Sequence, residues 1–148
     1  MNIEELFKNY KIEFQKIDAV NAMFEESLLE EIVQYLSCMG KTIRLHETPH
    51  GSAYTTLFSV YELKREQCTI CGKNELLIIG YGLNGDLLTI NLKNSHVGYI
   101  FHDELCEENY DSIEDIYVEL PFGIMTLLDM ALAGKDYPFD GYMAENYE

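Results

Sequence analysis

Residues 76–104, LLIIGYGLNGDLLTINLKNSHVGYIFHDE, constrain the fold more than any other stretch of this chain. Leu76–Tyr81 is nearly all apolar and suits a strand at the centre of a sheet. Gly82-Leu83-Asn84-Gly85-Asp86 follows, and Asn-Gly is a strong hairpin signal because both residues tolerate positive φ. Residues 87–92 return as a strand, and Lys93-Asn94-Ser95 turns the chain again. Residues 97–102 make a third strand, which runs into the polar trio His102-Asp103-Glu104. Tight turns between successive strands imply an antiparallel meander.

Helices are expected on either side of it. Ile3, Leu6, Phe7 and Tyr10 share a face at helical spacing. Residues 11–24 are ambiguous, because Ile12 and Phe14 alternate while Ile17, Val20 and Phe24 are spaced helically. Leu28, Leu29, Ile32, Val33, Tyr35 and Leu36 predict an amphipathic helix, with Ser27 and Glu30 as a capping box and Gly40 beyond its end. Residues 42–51 read as a loop or short strand, 54–64 as a strand and 68–74 as a turn. Residues 102–119 form an acidic connection that Ile113, Ile116, Tyr117 and Leu120 dock on the body. Pro121 suits the first turn of a helix that ends at Gly134. The tail from Asp136 shows no periodicity. Its Tyr137, Phe139, Tyr142 and Tyr147 suit either a protein interface or docking of the tail itself. At 148 residues, with no internal repeat or linker, the chain is expected to be one α+β domain spanning 1–148.

Charge narrows the function. The net charge is −16, and residues 101–148 hold 13 acids against one base, Lys135. A field of that sign disfavours nucleic acid, whose phosphates want clustered Lys and Arg, and it disfavours anionic membranes. It favours a basic protein partner, and it is also compatible with a plain acidic surface. No apolar run approaches the roughly 18–20 residues of a membrane-spanning helix. Met1-Asn2-Ile3-Glu4-Glu5 is unlike the basic start of a signal peptide, so a cytoplasmic location with four reduced cysteines is expected.

Few residues suggest chemistry. Cys68-Thr69-Ile70-Cys71 presents two thiols from one short stretch. His46 and His50 are the candidates to complete a tetrahedral zinc site, and an ordinary turn with free thiols is the alternative. Redox-active Cys pairs open a helix, whereas Gly72-Lys73-Asn74 is expected to lead directly into a strand. The loop Gly80-Tyr81-Gly82-Leu83-Asn84-Gly85 runs into a strand, not the helix that a phosphate-binding loop requires. His102-Asp103-Glu104 reads as a solvated strand end more readily than as an acid–base cluster. No catalytic residue, cofactor or committed metal ligand emerges, so an enzyme is not expected.

The stretch from Gly82 through Leu132 resembles the SUKH superfamily, which comprises bacterial toxin-immunity proteins and relatives of a fungal regulator of glucan synthesis. The resemblance lies in the Asn84-Gly85-Asp86 turn, the following Leu87-Leu88-Thr89-Ile90-Asn91-Leu92 strand, the Gly98-containing strand ending at Phe101-His102-Asp103-Glu104, the acidic loop and the late helix. The family's Leu-Pro pair before an early helix is missing, since residues 24–40 hold no proline. The resemblance implies a mostly antiparallel, mixed sheet flanked by helices. It also implies a non-catalytic binding role: neutralising a basic, nuclease-type toxin. Under that reading Asp103, Glu104, Glu107, Glu108, Asp111, Glu114 and Asp115 meet the basic residues that normally hold the toxin's substrate. A general regulatory or scaffold module, like the fungal relative, is the alternative.

Overall fold

The computed structural model describes residues 2–45 and 55–147. Their centre is a six-stranded sheet in the order β1(Ile43–Leu45), β2(Thr55–Leu57), β3(Leu76–Tyr81), β4(Leu87–Asn91), β5(His96–Ile100) and β6(Tyr117–Gly123). Every neighbouring pair is antiparallel, so the expected mixed sheet is here antiparallel throughout. Among the described residues seven helices accompany it: α1(Ile3–Asn9), α2(Glu30–Leu36), α3(Val60–Arg65), α4(Thr69–Lys73), α5(His102–Cys106), α6(Ile124–Leu132) and α7(Gly141–Glu145). The α+β class expected from sequence is the class observed. None of the described helices is long and apolar enough to cross a membrane.

The meander formed where the turn signals placed it. Leu76, Leu77, Ile78 and Ile79 of β3 are all buried, as a strand covered on both faces must be. Leu88 faces Tyr99 and Ile90 faces Val97 across β4 and β5, which puts these four side chains on one face. Thr89, opposite Gly98, lies on the other. Helices α3 and α4 pack on β3, while α6 and α7 pack on β5 and β6. Ile3, Leu6 and Phe7 of α1 join Ile32, Tyr35 and Leu36 of α2 in the same core. Each fully buried Leu, Ile or Phe contributes roughly 1.5–3 kcal/mol through removal of apolar surface from water.

Helix ends account for several differences from expectation. Asn2 caps α1 by accepting the Glu5 N–H at 2.8 Å. Helix α2 starts at Glu30, not near Ser27, and Leu29 occupies its N-cap position without a side-chain bond. The Glu30 carboxylate turns along the helix to accept from Gln34, so the capping box is not made. Gly40 is not a helix end either. Its N–H donates to the Gln15 carbonyl at 2.7 Å, where the chain crosses an isolated Gln15–Met39 bridge. The ambiguous 11–24 stretch holds one 3-10 turn, Val20–Met23.

Two stretches change type. Residues 54–64 are not a single strand. Strand β2 covers Thr55–Leu57, and Ser59 then caps α3 by accepting the Glu62 N–H at 3.2 Å. Ser59-x-x-Glu62 is a helix-start signal, and Val60 and Leu63 behind it share one helical face. Residues 68–74 contain α4 instead of a plain turn. At the other end, Pro121 sits inside β6, not at a helix start. Strand β6 is last in the sheet and pairs only with β5, so a residue without an N–H is tolerated there. Helix α6 does end at Gly134, as expected. Gly134 has φ +74, and the Gly134 and Lys135 N–H groups bond back to Ala131 and Met130 in a Schellman close.

Candidate functional site

The acidic connection is built outward from one buried carboxylate. Asp86, 2% exposed, follows Asn84-Gly85 in the β3–β4 turn. Its Oδ1 accepts the His102 backbone N–H at 3.2 Å and lies 2.7 Å from His102 Nδ1. Its Oδ2 accepts the Gly141 N–H at 2.8 Å and the Asn84 amide at 3.2 Å. One side chain therefore ties the turn to the first residues of α5 and α7. Gly141 is required for this approach, because a Cβ there would lie 2.9 Å from Asp86 Oδ2 and 2.6 Å from the Phe101 ring. A buried carboxylate needs several donors to offset its lost hydration, and these N–H groups supply them.

His102 thus opens α5 instead of closing a strand, and its Nε2 lies 3.0 Å from the Asp103 carboxylate. Both ring nitrogens face carboxylates, and that arrangement orients the helix. After α5 the chain crosses Glu108 at φ 55, where the Asn109 N–H bonds back to the Glu104 carbonyl. A 3-10 turn, Ile113–Asp115, brings it back to the sheet. Ile113, Ile116 and Leu120 are buried and Tyr117 is half-buried, so the anchors expected from sequence do dock the connection.

The seven acids expected to bind a partner have different positions. Asp115 accepts the N–H groups of Asp111 and Ser112 and completes a capping box, which holds its carboxyl below the usual range. It serves the loop, a role that the Ser112-x-x-Asp115 spacing announces. Asp103 faces His102, and Glu104 is half-buried. Glu107, Glu108, Asp111 and Glu114 are exposed, and among the described residues their carboxylates form no ion pair. These four make an outward ribbon of negative charge on a backbone anchored at both ends.

A second polar cluster was not read from sequence. Glu119 on β6 accepts from the Asn91 amide at 2.7 Å, the Tyr117 hydroxyl at 2.8 Å and the Asn94 amide at 3.1 Å, with His96 Nδ1 at 3.7 Å. Partial burial raises the Glu119 carboxyl, but the three donors and His96 outweigh it and hold the group below its ordinary value. The register of β4, β5 and β6 assembles this cluster, and β6 itself was unforeseen.

The tail docks. The Tyr137 and Thr55 hydroxyls are 2.9 Å apart, and the Tyr99 hydroxyl donates to the Pro138 carbonyl at 2.8 Å. Asp140 caps α7 by accepting the Met143 N–H. Tyr137 is buried and Phe139 half-buried, whereas Tyr142 and Tyr147 remain exposed. As for metals, His46 and His50 lie outside the described residues. Among the described ones no group of three or more His, Cys, Asp or Glu is placed to hold an ion. Comparison with protein-family models, with curated proteins and with solved structures returned no match.

Proposed function

We propose that this chain is a non-catalytic, cytoplasmic protein-binding domain of the SUKH kind. It neutralises a basic, nuclease-type toxin by covering the surface that normally holds phosphate. The observation that supports this reading is the ribbon of Glu107, Glu108, Asp111 and Glu114. It is exposed, lacks internal cations among the described residues, and is fixed in place by Ile113, Ile116 and the Asp86–His102 junction. Carboxylates spaced along a fixed backbone present to Arg and Lys much the same charge pattern as a nucleic-acid strand. Preorganisation lowers the entropy lost on association.

The test begins with capture of the tagged protein from its native cells at moderate salt and identification of what it retains. A single stoichiometric partner with a basic surface is expected. A spread of weak partners would sink the toxin reading and favour a general regulatory module. With the partner in hand, reversing Glu107, Glu108 and Asp111 to Lys is expected to slow association several-fold at low salt, and the difference should fade at high salt. An association rate that ignores the reversal would exclude this ribbon as the contact.

A further inference from the structure

We propose that Cys68 and Cys71 form a reversible dithiol–disulfide couple, an oxidation site worked by low-molecular-weight disulfides such as glutathione disulfide. From sequence the pair is expected to lie in a turn running straight into β3, a setting that does not favour redox chemistry. In the fold, Cys68 instead occupies the N-cap position of α4 with extended backbone, φ −127 and ψ 158, and Cys71 lies within the helix. That change of backbone direction turns both side chains to the same side. The two Sγ atoms are 2.9 Å apart, and a disulfide bond is about 2.05 Å, so less than one ångström of approach closes it.

The surroundings hold the two thiols in register. Gln67, immediately before the pair, donates its amide to the Leu63 and Ile78 carbonyls and accepts the Ile78 N–H, which fixes the start of the segment to α3 and β3. Asn74, just beyond α4, donates its side-chain amide to the Ile70 carbonyl and closes the far end. The five-residue helix is too short to supply an activating dipole, so the case rests on proximity and access.

Access differs between the two sulfurs. Cys68 is partly exposed and Cys71 is buried, so an incoming disulfide reaches Cys68 alone. Burial also pushes the Cys71 thiol upward, keeping it protonated until a neighbouring electrophilic sulfur appears. The Cys68 thiolate, having lost its proton to solvent, attacks one sulfur of glutathione disulfide. A mixed disulfide forms and one glutathione leaves. Cys71 then attacks Cys68 Sγ, the Cys68–glutathione S–S bond breaks, and the Cys71 proton passes to the departing glutathione thiolate, which leaves as the thiol. Two protein thiols are oxidised to one disulfide, and one glutathione disulfide is reduced to two thiols. The other two cysteines serve as internal references, since Cys38 is buried and Cys106 is exposed.

The experiment exposes the full, folded chain to glutathione disulfide, quenches with acid and maps each cysteine by peptide mass. Cleavage after Arg65 and Lys73 isolates both sulfurs in one fragment, residues 66–73. That fragment is expected to lose two hydrogens without retaining glutathione and to regain them in dithiothreitol. Cys106 should stop at a mixed disulfide. In Cys71→Ser the reaction should halt with one glutathione on Cys68. If that variant does not fold, the wild-type fragment decides the question. A fragment that stays reduced while Cys106 is modified, or that retains glutathione in the wild type, overturns the proposal.

Discussion

At the scale of single residues, Asp86 organises more of this molecule than any other polar side chain described. Its two oxygens satisfy donors from three separate elements, and it is almost wholly buried. Asp86→Ala would leave the Gly141 N–H and the His102 pair without acceptors, at a cost of about 2–4 kcal/mol. Urea unfolding measures this, and a loss under 1 kcal/mol would show that water replaces the carboxylate at roughly no penalty. Glu119 makes a separate, pH-dependent claim. Its folded pKa lies below the ordinary 4.5, so its contribution is present above that value and disappears as pH falls through the folded pKa. Glu119→Gln should therefore be less stable than wild type at neutral pH, with the gap closing below about pH 4.5. Parallel melting curves across the acid range test this, and a gap that does not change with pH would refute it.

At the scale of elements, capping decided where the chain departs from its apolar pattern. Residues 54–64 are expected to form a strand, yet Ser59 and Glu62 start a helix inside them. The hydroxyl of Thr42 adds a second tie, accepting the Ser59 N–H at 3.1 Å and donating to the Glu62 carboxylate. Ser59→Ala should cost about 1 kcal/mol, the usual worth of an N-cap. Chemical denaturation reads it directly, and an unchanged midpoint would mean that packing of Val60 and Leu63 alone fixes α3. Pro121 shows the opposite case. Its ring suits a helix start as well as an irregular edge strand, and pairing with β5 at Glu119 and Gly123, on either side of the proline, selects the strand.

At the scale of the whole molecule, charge distribution is the dominant property. With thirteen acids against one base in residues 101–148, like charges repel across α5, β6, α6 and α7. Raising sodium chloride from about 0.02 to about 0.5 M shortens the screening length several-fold and should raise the melting temperature by a few degrees. A melting temperature that stays flat or falls with salt would indicate that the acids are already compensated within the fold. The proposed use of this charge is external: a basic partner supplies what the last third lacks. Under that proposal the carboxylates that repel one another in the isolated fold attract the partner's cations across the interface.

Elements whose information is local follow from the chain alone. The meander from Leu76 to Ile100 came from turn residues and apolar runs, and α6 came from its apolar face and the glycine that ends it. The net charge and its concentration in the acidic connection are likewise properties of the chain alone. Tertiary structure decided what depends on distant neighbours. It made β6 a strand by offering β5 as a partner, and it made α7 from an aperiodic tail by giving Gly141 an acceptor in Asp86. It also turned the exposed Asp115 carboxylate onto the Asp111 and Ser112 N–H groups and gathered Asn91, Asn94, Tyr117 and Glu119 into one cluster. It set the sulfurs of Cys68 and Cys71 face to face by ending β2 early and folding α3 and α4 before β3. The physical reason is the same throughout. Short-range signals act through a residue's own φ and ψ, whereas a buried polar atom or an edge strand is settled by a partner that the chain brings up from far away.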